Sequence, residues 1–188
     1  PNGGTQVPST KGQWDMAKLL QKECEEIGLV DLHLSEHCVL TGRLPARLGP
    51  NKKSAPAIGF CAHLDTVDVN LSPVVHAHTV ENYDGGDIVL NGEKNLVMKA
   101  AEHPELKPYV GQNLIVTDGT SVLGSDNKAA IANVMTALHT LASDSNLYHG
   151  DIYVAFVPDE ECGLYGAKNM DFSRFPVDFA YTIDSCEL

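Results

Sequence analysis

The chain has 188 residues, 43% of them hydrophobic and 20% charged, and carries a formal net charge of -12 at pH 7. This length suits one domain with a substantial core, and the acidic balance excludes a nucleic-acid surface, which needs clustered Lys and Arg. No apolar run reaches the ~18 residues of a membrane helix, the polar start Pro1-Asn2-Gly3-Gly4 does not read as a signal peptide, and the 5 cysteines include no C-x-x-C pair, so buried thiols in the cytoplasm are expected.

In chain order, Thr10-Lys11-Gly12-Gln13 reads as a capping box. Trp14, Ala17, Leu20, Cys24 and Ile27 follow at helical spacing, and Gly28 can close that helix. Val30 to Leu34 and Cys38 to Leu44 are expected as paired strands, and a polar turn over 49–56 leads into the apolar run Ala57 to Ala62, a central strand. Val69 to Gly111 is polar and turn-rich, with Asp84-Gly85-Gly86-Asp87 its clearest turn, and reads as a long excursion over the surface. Order returns with a strand Leu114 to Thr117, an Asp118-Gly119 hairpin turn, a second strand Ser121 to Leu123 and the corner Gly124-Ser125-Asp126. The stripe Ile131, Val134, Met135, Leu138 and Leu141 or Ala142 predicts a helix. Ile152 to Val157 and Phe179 to Ile183 read as strands. Alternating strands and helices imply an α/β fold of three layers, αβα, around a mostly parallel central sheet with antiparallel strands at one edge.

Acidic and imidazole groups fall where the apolar runs stop. His63-Leu64-Asp65 ends the run from Ala57, Asp159-Glu160-Glu161 ends the run from Ile152, and Asp184 ends the run from Phe179. Chemistry at strand ends is how α/β enzymes are built, and one imidazole with several carboxylates suits divalent metal ions. His63 and Asp65 face the same way on an extended strand, so the carboxylate can hold the orientation of the ring. Asp126 starts a helix: it is either an N-cap for orphan amides or a carboxylate whose two oxygens bridge two metals about 3.5–4 Å apart. Glu160 and Glu161 are either a solvated acidic turn or, with cations offsetting their repulsion, a ligand beside a general base. Asp184 would complete the second ligand set.

Other candidates are set aside. His76-Ala77-His78 has metal-like spacing but sits in the surface excursion, and His103, His139 and His149 lie beside polar or turn residues where solvation is expected. Cys162 has no histidine partner in a recognisable arrangement and is expected as a small buried side chain.

The stretches Ala62 to Val67, Val116 to Gly119 with Leu123 to Ala130, and Val157 to Gly163 together resemble peptidase T, the aminotripeptidase branch of the M20 family of co-catalytic zinc peptidases. The likeness extends to Glu81 to Ile88, the stretch that separates this branch from its relatives, and to Ala180 to Asp184. The resemblance implies a zinc-peptidase catalytic domain over 1–188, acting on a short peptide with no nucleic-acid or membrane partner. The implied reaction is hydrolysis of the N-terminal peptide bond of tripeptides by a water activated between two zinc ions. It further implies His63 and Asp184 on one zinc, Glu161 on the other, Asp126 bridging both, Asp65 orienting His63, and Glu160 as general base. The alternatives are another M20-type amide hydrolase, such as a dipeptidase or N-acyl amino acid deacylase, and a non-catalytic relative that binds metal or peptide.

Two departures from the family pattern shape the expectation. The family supplies one further histidine ligand from a segment after an inserted lid domain. The chain is therefore expected to be the N-terminal portion of a longer catalytic domain and inactive by itself. Asn127 stands where many relatives carry a second Asp after the bridging one, in a peptide bond the family holds cis, so a cis Asp126-Asn127 bond is expected.

Overall fold

In the computed structural model, which describes residues 6–184, the apolar stripe after Thr10 forms helix α1, Lys11–Ile27, with Ala17, Leu20 and Cys24 buried along one face. Gly28 ends it at φ 98°, returning its N–H to the carbonyls of Cys24 and Glu25, a left-handed geometry that a Cβ would penalise. The start of α1 departs from a capping box, because Thr10 makes no side-chain cap hydrogen bond. The Gln13 Oε1 that would accept the cap N–H is taken instead by the N–H of Asp159 at 2.9 Å.

The remaining strands and α-helices are β1 (Val30–Leu34), β2 (Leu40–Leu44), β3 (Ile58–His63), β4 (Ala77–Val80), β5 (Ile88–Asn91), β6 (Leu96–Met98), β7 (Leu114–Thr117), α2 (Ser125–Ser143), β8 (Ile152–Val157), α3 (Tyr165–Lys168) and β9 (Phe179–Thr182). They fall into two compact units: one joins the residues up to Val67 with those from Gly124 onward, and the other is Asp68–Leu123.

The first unit is built on a five-stranded sheet of order β1-β2-β8-β3-β9. β1, β2 and β8 run antiparallel in turn, while β8, β3 and β9 run parallel. The α/β class and its antiparallel edge are thus as expected; β8 is the middle strand and β3 is flanked on both sides. Along β3 the side chains alternate. Ala62 and Phe60 join the cluster that contains Leu20 and Cys24 of α1, Ile131 and Leu138 of α2, and Val154 and Phe156 of β8. Each fully buried Leu, Ile, Val or Phe side chain among them contributes about 1.5–3 kcal/mol. Gly59 faces the other way, where a Cβ would collide with the ring of Phe175; that ring also lies edge-on to Tyr153, its centroid 6.1 Å away.

The second unit corresponds to the predicted surface excursion, but it is more ordered than its sequence suggests. β4 pairs with β7 and β5 pairs with β6, both antiparallel. The predicted hairpin across Asp118-Gly119 does not form: β7 takes β4 as its partner, with Ala77 opposite Thr117, and Ser121 to Leu123 is not a strand. The turn closes on itself instead, since the Asp118 carboxylate accepts from the Thr120 N–H and hydroxyl, and the Thr117 hydroxyl donates to the Ser121 carbonyl. Such local bonds compete with a ladder. Among the described residues no helix is long and apolar enough to cross a membrane.

Candidate metal centre

Strand register brings the candidate residues together. β3 is parallel to both neighbours, with His63 beside Val157 and Cys61 beside Thr182, so the three strands end on one rim, where α/β sheets bind ligands. The pairing continues past the ends: the Leu64 N–H donates to the Val157 carbonyl at 2.8 Å, and the Ile183 N–H to the Cys61 carbonyl at 2.9 Å. His63, Asp65, Glu160, Glu161 and Asp184 are carried to that rim on consecutive strand ends.

Asp126 reaches the same rim from the start of α2. Gly124 adopts φ 74° just before α2, and Asp126 and Asn127 in its first turn have non-helical angles, so the regular helix runs on only after them. The Asp126-Asn127 peptide is cis, as the resemblance implies. The next two side chains fasten this turn to both neighbouring loops. Asn127 Nδ2 donates to the Ile183 carbonyl at 2.8 Å, while the Lys128 ammonium donates to the Asp65 carbonyl at 2.5 Å and to Thr66 Oγ1.

His63 Nε2 is the focus of the cluster, with Asp126 Oδ1 at 2.9 Å, Asp184 Oδ1 at 3.7 Å and Glu160 Oε2 at 4.0 Å. On the other side of the ring, Nδ1 lies 3.3 Å from Asp65 Oδ1, close but off the hydrogen-bond line. Two sets of donor atoms are close enough to share an ion: His63 with Asp126 and Asp184, and His63 with Glu160 and Glu161. The first is the set the resemblance implies for one zinc. The second differs from it, grouping Glu161 with His63 and Glu160, where the resemblance groups it with Asp126.

The chemistry of this donor set fits a divalent ion. An imidazole and carboxylates are ordinary zinc ligands. Three carboxylates converge on a ring nitrogen that has at most one N–H to offer, and like charges held this close need a cation or a proton to offset them.

The same crowding sets the proton affinities. Burial pulls the His63 pKa down, but the carboxylates of Asp65, Asp126 and Asp184 outweigh it and raise it to about 9. For Asp65 burial pushes upward, yet the neighbouring His63 and the N–H groups of Glu160 and Glu161 hold it below the usual carboxylate range. Glu160 is raised by burial and by the charges of Asp184, Glu161 and Asp65, against an opposing pull from His63. Lys128 is lowered by burial, which exceeds the opposite effect of Asp65, Asp126 and Glu161.

The turn after β8 is held from two sides. Asp65 accepts the Glu160 N–H at 3.0 Å and the Glu161 N–H at 3.1 Å. The buried Asp159 carboxylate accepts from the Ser9 N–H, the Ser9 hydroxyl and Gln13 Nε2 at 2.8, 2.6 and 2.8 Å. Beyond the turn the chain folds back so tightly that a Cβ on Gly166 would overlap the Pro158 backbone. Sequence reasoning did not identify Ser9, Gln13, Asp159, Asn127 or Lys128 as supports. Asp159, Asn127 and Lys128 lie inside the motifs, so proximity to them was a usable signal; Ser9 and Gln13 offered none.

No metal-holding group among the described residues includes His76 or His78, which belong to the second unit. His103 pairs with Glu105 at 2.7 Å. His149 is less solvated than expected: Nδ1 lies 2.8 Å from the Gly150 carbonyl and Nε2 is buried without a hydrogen-bond partner. Cys162 is half-buried, its Sγ 3.8 Å from the Asp159 carbonyl. Cys24 and Cys38 are buried free thiols, Cys61 is half-buried, and Cys186 lies outside the described residues.

No family model matches the chain, but individual proteins do. A peptidase T-like protein of Yersinia pestis is 52% identical over 182 residues, which cover 97% of this chain and 43% of that protein. Peptidase T of Alkaliphilus oremlandii is 49% identical over 181 residues, covering 96% and 44% respectively. Among solved structures, aminopeptidase PepT from Bacillus cereus is similar with a TM-score of 0.66 and 25% identity, over 97% of this chain and 40% of that one. The chain thus spans less than half the length of the curated relatives it matches. Over nearly its whole length, at about half identity and with a matching fold, the chain is thus similar to peptidase T.

Proposed function

We propose that the protein containing this chain is a two-zinc aminopeptidase that hydrolyses the N-terminal peptide bond of tripeptides. The observation that carries this reading is the convergence of Asp126, Asp184 and Glu160 on His63 Nε2 at 2.9, 3.7 and 4.0 Å, with Glu161 in the same cluster. His63 and Asp184 would hold one ion, Glu161 the other, and Asp126 would bridge them. Bound there, the ions supply a lowered pKa for the attacking water and stabilisation of the charge that develops on the carbonyl oxygen.

Glu160 does the proton work. Its pKa, raised by burial and neighbouring charge, makes it a stronger base than an ordinary glutamate. It takes a proton from water as the water oxygen bonds to the scissile carbonyl carbon. As the C–N bond breaks, Glu160 returns that proton to the leaving amine nitrogen. Asp65, by accepting the N–H groups of Glu160 and Glu161, keeps the backbone under the base fixed while the charge moves. Preference for tripeptides rests on the peptidase T relatives and on the Asn82 to Asp87 stretch, in which Tyr83 is buried and donates its hydroxyl to the Gly86 carbonyl at 2.8 Å.

The test is hydrolysis by the full-length protein, stripped of metal and resupplied with zinc, of a free tripeptide, a dipeptide and an N-acetylated tripeptide. Zinc-restored cleavage of the free tripeptide alone supports the proposal. Cleavage of the dipeptide or the acylated peptide moves the activity to a sister hydrolase, and zinc binding without cleavage points to a binding protein.

A further inference from the structure

We propose that Asp159, gripped by Ser9 and Gln13, is a positioning residue that sets the direction of Glu160. The inference rests on Glu160 being the general base. It concerns residues that do not themselves touch the metal cluster, and it assigns the start of α1 a part in catalysis.

Asp159 is 1% exposed and Gln13 is 3% exposed. The described partners of the Asp159 carboxylate are neutral donors, the Ser9 N–H, the Ser9 hydroxyl and Gln13 Nε2. Gln13 closes the ring by accepting the Asp159 N–H on its Oε1 at 2.9 Å. The Asp159 carbonyl in turn accepts the Tyr165 N–H at 3.0 Å. Amide, carbonyl and carboxylate of one residue are therefore all engaged.

That residue stands at φ 55°, a left-handed conformation uncommon outside glycine though one that Asp adopts more readily than most, and here the bonds to its amide, carbonyl and carboxylate hold it there. It immediately precedes Glu160, so its backbone angles decide where the Cα–Cβ bond of Glu160 points. Asp65 fixes the far side of the same turn through the N–H groups of Glu160 and Glu161. Burying a carboxylate against neutral donors is a poor way to add stability, because apolar packing of similar volume does as well or better. What the hydrogen bonds supply and packing does not is direction, the property a first-rank functional group needs from its supports.

The test uses the full-length protein and reads tripeptide kcat and KM, zinc per chain, and thermal midpoint. Gln13→Met removes both bonds to Asp159 at similar volume. Gln13→Glu sets two carboxylates against each other, Asp159→Asn leaves one acceptor oxygen for the donors of Gln13 and Ser9 and turns an N–H against one of them, and the two changes together exchange donor for acceptor between residues 13 and 159 and restore the fit. Gln13→Met is expected to lower kcat about 10- to 100-fold, the cost of a misplaced group, with KM and zinc content unchanged. Each charge-changing single variant should also lose rate, and the pair should recover most of it, a non-additivity that marks direct coupling. Should Gln13→Met fail to fold, the comparison of the singles with the pair still decides the matter. Unchanged kcat in Gln13→Met overturns the proposal, as does a joint fall in kcat, zinc content and thermal midpoint with no recovery in the pair. Glu160→Gln separates the two claims. If it retains full rate, the base assignment falls and the positioning role falls with it; if it loses rate while Gln13→Met does not, only the positioning role falls.

Discussion

The backbone N–H of Glu160 donates to Asp65 Oδ1 at 3.0 Å, so the carboxylate beside His63 also holds the turn that carries both glutamates. Sequence spacing suggested only that Asp65 orients the ring. In the structure its line to Nδ1 is the less well aligned contact, and its bonds to the two backbone amides are the better formed ones.

Asp65→Asn should therefore act through the glutamates. An amide offers one acceptor oxygen for two N–H groups and carries no charge, and a hydrogen bond to a charged group contributes about 1.5–3 kcal/mol. Denaturant unfolding should register a loss of that order, and steady-state kinetics a fall in kcat larger than any change in KM. Retention of full stability and full rate would remove Asp65 from the account.

Glu160→Ala should leave zinc nearly as tightly bound as before and lower turnover by about 10²–10⁴-fold, the usual contribution of a general base. Metal analysis of the purified variant beside its tripeptide kcat checks this. Loss of zinc with retained rate would contradict the role.

Proton and metal compete for His63. Its folded-state pKa, raised from 6.5 to about 9 by the surrounding carboxylates, means that the metal-free protein gains stability from the protonated ring. That gain is fully present below about 6.5 and is lost as pH rises through about 9. The thermal midpoint of the metal-free protein should fall across this window, and zinc affinity should rise across it as the proton becomes easier to displace. A flat midpoint, or one that rises with pH in a His63-dependent way, would contradict the reading.

Burial, reinforced by nearby acidic charge, pushes the Cys24 and Cys38 thiols up to about 12. The thiolate is the reactive form, so both should resist alkylation at mildly alkaline pH in the folded protein and react once it is unfolded. Mass-spectrometric mapping of labelled cysteines reads this directly.

The parts of the fold legible in the sequence are those with long, regular patterns. α1 and α2 announce themselves by helical stripes, and β3 and β8 by apolar runs that stop at polar residues. β5 and β6, with 4 and 3 residues, are too short to show a period, and the Asp118 turn looks like a hairpin until its side chains claim the local bonds. The rim residues were legible because each follows a strand. Their supports were not, since the bond between Gln13 and Asp159 joins residues 146 positions apart. Gln13 had a sufficient local explanation as half of a capping box, and only the folded chain redirects it.

On this proposal the rim holds two zinc ions with Asp126 between them. This is tested most directly by zinc-edge anomalous diffraction from crystals of the full-length protein. Two peaks about 3.5–4 Å apart are expected, one against His63 and Asp184, the other against Glu161, and both within reach of Asp126. A single ion with Asp126 uninvolved, or zinc bound away from His63, would contradict it.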